Sequence, residues 1–335
     1  MKISDQEDFF KATRMTVEKF NTLLVLLTEK LQRYSRRAPI APETRLGLTL
    51  LYLSQGCGPQ FLAWSHKMGA STVRQVVYDT CEAIWSELHD IYVAKPNVRE
   101  LRNIADRFYA KTGMPHCLGA IDGKHVNIVR PINSGSLFFN YKKTFSIVLL
   151  ATCDSNYTFT YVDVGALGSQ SDGGVLSKSA FGKMILRAEL DIPSQDYLPG
   201  SNINSPYFFV GDSAFPLKPN LMRPNLMRVH IENAFGILSK RWRVLHKPIH
   251  AAPKNVDKII LATIVLHNYL MLDRDPNYFN ENLVDHEVNG SLIPGTCRDT
   301  DTSMNSVRIG QTNRSSEEAF NLRETIANYL TATNN

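Results

Sequence analysis

Apolar positions in residues 1–112 recur at helical spacing. Across 17–31 they stand at Val17, Phe20, Leu23, Leu24, Leu27 and Leu31, which is one face of a helix. A basic turn at 33–37 follows, with Pro39 and Pro42 behind it. Residues 43–54 place Leu46, Leu50 and Leu53 on one face, and 59–66 form a short third helix. The turn Met68-Gly69-Ala70 leads to Ser71, the expected N-cap of a long helix reaching Leu88. A short helix, a glycine turn and a longer helix opening Ser-Thr-Val-Arg-Gln is the sequence form of a helix-turn-helix. In that form Thr72, Arg74 and Gln75 face outward, while Val73, Val76 and Val77 face the core. A plain helical bundle with glycine in its turn fits the same pattern equally well.

From Gly113 the pattern changes to strands. Residues 117–121 are a short apolar run, followed by a charged turn and a second run at 125–129. Residues 145–152 (FSIVLLAT) are apolar throughout, as in a strand buried on both faces. Residues 157–164 alternate aromatic, Thr and Val residues, and 207–210 form a fourth short strand. Helices are expected over 177–190, 231–242 and 256–272. Beyond Asp273 no periodicity survives until a helix near 316–330, so most of that tail is expected to be mobile. The order is mixed α/β and suggests three segments: helical 1–112, α/β 113–272, and the tail 273–335.

The charge is uneven along these segments. The 335 residues sum to +5, but 273–335 hold 5 basic and 10 acidic residues. A basic body with an acidic tail suits a polyanion partner, although a solvated surface accounts for charge of this size too. The five cysteines form no C-x-x-C pair, which argues against a zinc ribbon or a disulfide scaffold. The first ten residues are acidic and polar, so no secretory signal is expected there. The apolar stretch 259–272 is broken by Thr263, His267 and Asn268 and is too short to span a bilayer.

Four acids stand where strands or turns end: Asp122 in LGAIDGKHV, Asp172 in GSQSDGG, Asp212 in FFVGDSAFPL and Glu232 in HIENAFG. If the strands ending at Asp122 and Asp212 are neighbours, both carboxylates emerge at one sheet edge, and the helix that begins near Glu232 could project over it. Such a cluster is stabilised by Mg²⁺ or Mn²⁺, and a pair of these ions is suited to phosphodiester cleavage. Taken singly, each acid has an ordinary reading as a turn residue or helix-terminal charge. Lys124 and His125 could face phosphate or solvent, solvent being the expectation for Lys124; His267 is expected to be a bonded core residue, and Arg241 and Arg243 could meet a DNA backbone.

The stretches GAIDGKHVNI, FNYKKTFSIVLLATCDSNYTFTYVDVGALGSQSDGGV, VGDSAFPLKPNLMRP, IENAFGILSKRWRVL and ATIVLHNYL resemble, in order, the PIF/Harbinger transposases and the nucleases derived from them. The resemblance covers most of 117–272 and extends to the N-terminal helices. It implies an RNase H-like DDE nuclease core preceded by an all-helical, helix-turn-helix-like domain. It also implies catalytic Asp122, Asp212 and Glu232, with Asp172 joining them at a divalent metal site. The implied activity is metal-dependent DNA cleavage in the nucleus, and in the cytoplasm as well, with a separate Myb/SANT-like DNA-binding partner.

One departure from the family stands out. Relatives carry a longer, basic segment between the second Asp and the Glu. Here only 20 residues separate Asp212 from Glu232, and they hold a tandem repeat, Pro219-Asn220-Leu221-Met222-Arg223 and Pro224-Asn225-Leu226-Met227-Arg228. The intact aspartates favour an enzyme, and the short connection favours an inactive transposase that binds DNA or protein. The apolar face Ile231, Phe235 and Leu238 is expected to seat the Glu232 helix in either case.

Overall fold

Side-chain caps start the first helices. The Asp5 carboxylate accepts the Asp8 N–H at 3.0 Å and opens α1 (Gln6–Thr13). The Thr16 hydroxyl accepts the Lys19 N–H at 3.3 Å and opens α2 (Val17–Leu31). These contacts belong to a computed structural model that describes residues 5–34, 38–223, 228–272, 275–288, 291–299, 304–307 and 316–333. The end of the basic turn, 35–37, lies outside the described residues. α3 (Pro42–Gln55) and α4 (Pro59–Ser65) both begin with proline, whose missing N–H is not needed in a first turn. α5 (Ala70–Tyr92) buries Val73, Val76, Val77 and Ile84 and exposes Thr72, Arg74 and Gln75. Its cap is Gly69, not Ser71, because the backbone is already helical at Ala70. A capping box of Asn97 and Glu100 starts α6 (Val98–Thr112).

β1 (Cys117–Asn127) is one continuous buried strand where two runs and a charged turn were expected. Asp122 and Lys124 pair with each other along the strand, so the charges do not require a turn. β2 (Ser146–Cys153) and β3 (Phe159–Leu167) follow. The helix expected at 177–190 is two helices, α7 (Asp172–Lys178) and α8 (Ala180–Leu186). Ser179 separates them with extended backbone, and its hydroxyl accepts the Gly182 N–H at 2.8 Å, which begins the second. β4 (Asp196–Tyr197) and β5 (Asn204–Ser205) make a small ladder, and β6 (Phe208–Val210) and β7 (Leu221–Met222) complete the central region. α9 (Arg228–Arg241), α10 (Pro253–Met271), β8 (His286–Val288), β9 (Ser291–Ile293), β10 (Met304–Ser306) and α11 (Glu317–Thr333) follow in turn.

Contacts divide the chain into two compact units. The first joins 1–94, 126–134 and 235–304. In it α10 packs along α5, with Asn268 Nδ2 donating to the Tyr92 carbonyl at 2.6 Å and the Tyr269 hydroxyl donating to the Lys19 carbonyl at 2.8 Å. His267 is a core residue whose Nδ1 lies 3.1 Å from the Tyr278 hydroxyl. The grouping follows contact rather than the consecutive segments 1–112, 113–272 and 273–335. α10 belongs with α1–α5, and α11 belongs to the second unit. All five cysteines are free. Among the described residues no helix is long and apolar enough to cross a membrane.

The second unit joins 95–125, 135–234 and 305–335 and holds the main sheet. Its strand order is β3-β2-β1-β6-β7, with β10 also paired to β1. β2 and β3 are antiparallel; β1, β6 and β7 run parallel, with Ala120 opposite Val210 and Val210 opposite Met222. β2 is buried at every position, as its unbroken apolar run requires. β10 gives part of the tail an ordered place in the sheet.

Two histidines of this unit, the buried His125 and the half-buried His230, are held by a hydroxyl and by aromatic rings respectively. His125 bonds Ser146 Oγ through Nδ1 at 2.8 Å, and His230 lies between Phe108 and Tyr157 with ring separations of 5.3 and 5.8 Å. Burial lowers both to about 4, and nearby lysines, Lys142 and Lys111, push the same way. An unfolded histidine titrates near 6.5, so between about pH 6.5 and 4 the unfolded chain binds more protons. Stability should therefore be full above about pH 6.5 and fall as the pH drops towards 4. Urea unfolding across that range should show the midpoint dropping, and the double variant His125→Gln/His230→Phe should flatten the drop.

Candidate metal centre

The parallel register of β1 and β6 decides where two of the acids emerge. Ala120 and Val210 are partners, and Asp122 and Asp212 each follow their partner by two residues. Both carboxylates therefore emerge side by side, Asp122 midway along β1 and Asp212 just beyond the end of β6. The turn after β6 fixes Asp212: its Oδ1 accepts the Ala214 N–H at 2.8 Å. Gly211 makes the close approach possible, because a Cβ there would lie 2.9 Å from Ile121 Cγ2 and 2.8 Å from Phe215 Cδ2. Asp172 comes from the first residue of α7, whose start is capped by Ser171 Oγ accepting the Gly174 N–H at 3.4 Å.

Asp122, Asp172 and Asp212 each offer a carboxylate oxygen within 4.8 Å of the others, and all three residues are buried. Three hard oxygen donors converging from three elements fit a divalent cation of the Mg²⁺ or Mn²⁺ class. Glu232, half-buried on α9, is not a member of this three-residue group. Ile231, Phe235 and Leu238 of that helix are buried, as its apolar face requires.

Lys124 is buried rather than solvated. Its Nζ lies 2.9 Å from Asp122 Oδ2 and donates to Ser306 Oγ at 3.2 Å. With all four groups ionised, three carboxylates and one ammonium leave two net negative charges, the charge of one divalent ion. Arg223, at the end of β7, adds a further cation. Burial lowers its pKa, and the Asp212 carboxylate works against that lowering.

Residues 121–268 match the DDE superfamily endonuclease family. The chain is thus similar to that family over 148 of its 335 residues. It is 25% identical over 326 residues to "Protein ALP1-like" of Arabidopsis thaliana, spanning 90% of this chain and 79% of that protein. It is 26% identical over 266 residues to "Putative nuclease HARBI1" of Homo sapiens, spanning 73% and 72%. The Xenopus laevis protein of the same name is 24% identical over 279 residues, spanning 77% and 76%. No solved structure matches the chain at a significant level. The matched segment begins one residue before Asp122 and contains Asp172, Asp212 and Glu232.

Sequence reasoning favoured solvent for Lys124 and missed Gly123 as part of the site. The missing signal was strand continuity: in an unbroken strand, residues 122 and 124 share a face. Gly123 reads in sequence as a turn residue, yet its role here is contact. A Cβ at 123 would collide with the Asp172 carboxylate and sit 3.2 Å from Val307 Cγ2. Gly123→Ala should therefore displace Asp172, weaken Mn²⁺ binding by about tenfold or more, and cost roughly 1–3 kcal/mol of stability. Calorimetric Mn²⁺ titration and urea unfolding measure the two effects. Unchanged Mn²⁺ affinity would mean that Asp172 does not ligate.

Proposed function

We propose that the protein is a divalent-metal-dependent DNA endonuclease. The observation that carries the proposal is the convergence of Asp122, Asp172 and Asp212 within 4.8 Å, inside the segment that matches DDE endonucleases. The sheet order, with β2 and β3 antiparallel on one side of β1 and β6 and β7 parallel on the other, supports an RNase H-like core.

In this reading the three aspartates hold the ion, and Glu232 completes the site from α9 when substrate draws that helix in. A divalent ion at such a site supplies Lewis-acid activation and neutralises charge at the phosphate; a second ion would stabilise the leaving oxygen. The chain's residues do the positioning. Asp122, midway along β1, and Asp212, just after β6, fix the ligand oxygens on two paired strands. Lys124 offsets part of the carboxylate charge and donates to an oxygen on its far side. α4 and α5 serve as a helix-turn-helix that offers Thr72, Arg74 and Gln75 to DNA, and a Myb/SANT-like partner supplies sequence choice and nuclear delivery.

A second reading is a transposase-derived module that binds DNA or protein without cutting. The observation favouring it is that Glu232 stands outside the three-carboxylate group, after a connection of only 20 residues from Asp212.

Nicking of supercoiled plasmid separates the two readings. With Mg²⁺ or Mn²⁺ the enzyme should nick, and Asp122→Ala should lower the rate by at least about a hundredfold. Mn²⁺ binding without any nicking would favour the module. Without a partner, DNA binding should be weak and salt-sensitive, with log K falling against log salt at a slope of about −3 to −4 for 3–5 phosphate contacts. Anisotropy titrations at several salt concentrations measure that slope.

A further inference from the structure

Residues 305–307 of the C-terminal segment lie against the candidate metal centre. Ser306 Oγ accepts from Lys124 Nζ at 3.2 Å, and the same ammonium lies 2.9 Å from Asp122 Oδ2. The Ser306 carbonyl accepts from the Tyr141 hydroxyl at 2.9 Å. Asn305 Oδ1 accepts from Lys142 Nζ at 3.0 Å. Val307 is beside Gly123, the glycine that also touches the Asp172 carboxylate. Two ammonium groups and a phenol thus donate to three oxygens of two consecutive residues, Asn305 and Ser306, next to the residues that would hold the metal.

The surface that carries these donors is built, not incidental. Tyr141 and Lys142 sit on a turn organised by the buried Asn140. Its Oδ1 accepts the Lys142 and Thr144 N–H groups at 3.0 and 3.1 Å, and its Nδ2 donates to Thr144 Oγ1 and Ser146 Oγ, both at 2.9 Å. Ser146 in turn bonds His125 on β1. The turn is therefore tied to the strand that carries Asp122 and Lys124. A fixed row of cationic and hydroxyl donors leading to a carboxylate cluster suits a nucleic-acid backbone, whose phosphate oxygens are acceptors at regular spacing.

We propose that Lys124, Tyr141 and Lys142 form a binding track for a nucleic-acid backbone, and that residues 305–307 occupy this track as a pseudo-substrate in the resting chain. The inference rests on the nuclease reading and deepens it by naming the substrate contacts and a competitor within the chain. The oxygens of Asn305 and Ser306 stand where phosphate oxygens would be held. Substrate must displace them, so apparent affinity is lowered by the fraction of time the segment is seated.

The test uses the full chain and a fluorescein-labelled DNA duplex in EDTA, read by anisotropy, so that binding is measured without metal or cleavage. Asn305→Ala/Ser306→Pro removes the acceptor for Lys142 and disrupts β10. If the segment is seated about nine-tenths of the time, this variant should bind DNA about tenfold more tightly. Asn305→Asp places a carboxylate opposite Lys142 and should bind more weakly than wild type. Lys142→Met should bind more weakly and reduce the salt slope by about 0.9, one phosphate contact. In the Lys142→Met background the gain from unseating the segment should shrink. Thermal unfolding identifies any variant that fails to fold, and the Asn305→Asp arm remains decisive if the double variant does. Equal DNA affinity in wild type, the double variant and Asn305→Asp would overturn the proposal. Affinity that rises on unseating but is unaffected by Lys142→Met would overturn the track. The nuclease reading fails separately, if Mn²⁺ calorimetry shows no binding that Asp122→Asn abolishes.

Discussion

Three carboxylates held within 4.8 Å of one another and out of water repel each other, and the architecture around them is organised against that repulsion. Unit charges about 4 Å apart interact by roughly 4 kcal/mol at an effective dielectric constant of about 20. The opposition comes from the backbone ladder between β1 and β6, the turn that bonds Asp212 Oδ1, and the helix start that presents Asp172. Lys124 reduces the repulsion from within the strand itself. A bound divalent ion would remove the rest, so folding and metal affinity are linked through the same residues.

That linkage explains why so much of the second unit is buried and specific around a polar centre. β2 is apolar at nearly every position and lies directly beside β1, so the strand carrying Asp122 cannot shift register without exposing it. Gly211 and Gly123 are two of the places where this packing leaves no room for a side chain. The first unit has no comparable polar centre among its described residues. Its helices are held by apolar faces and by single bonds such as Asn268 to the Tyr92 carbonyl.

The helices of 17–31 and 43–54 and the long helix after Gly69 were legible because their apolar residues repeat every third or fourth position. The runs 145–152 and 207–210 were legible as strands for the equivalent reason. The charged stretch Asp122-Gly123-Lys124 was misread as a turn, since periodicity carries no information about an ion pair made along one strand. The break at Ser179 was missed because a serine within an apolar-periodic run fits a helix as well as a cap. Three of the four candidate acids come together in space, and the motifs around them pointed there. Glu232 is not a member of that group. Contacts between distant segments, such as α10 on α5 or β10 on β1, leave no trace in local pattern at all.

The tandem repeat has a bearing on how this chain tolerates change. Its first copy supplies β7, and Asn220 there serves twice: its carbonyl accepts from Phe209, and its side chain donates to the Ile185 carbonyl at 3.1 Å. The second copy carries the same five residues in the same order. The sequence therefore carries a second copy of the β7 residues directly behind the first, with only five positions, 223–227, between Met222 and the start of α9. Gain or loss of one whole repeat would leave the residues of β7 unchanged and alter only how much chain lies between the sheet and the helix that bears Glu232.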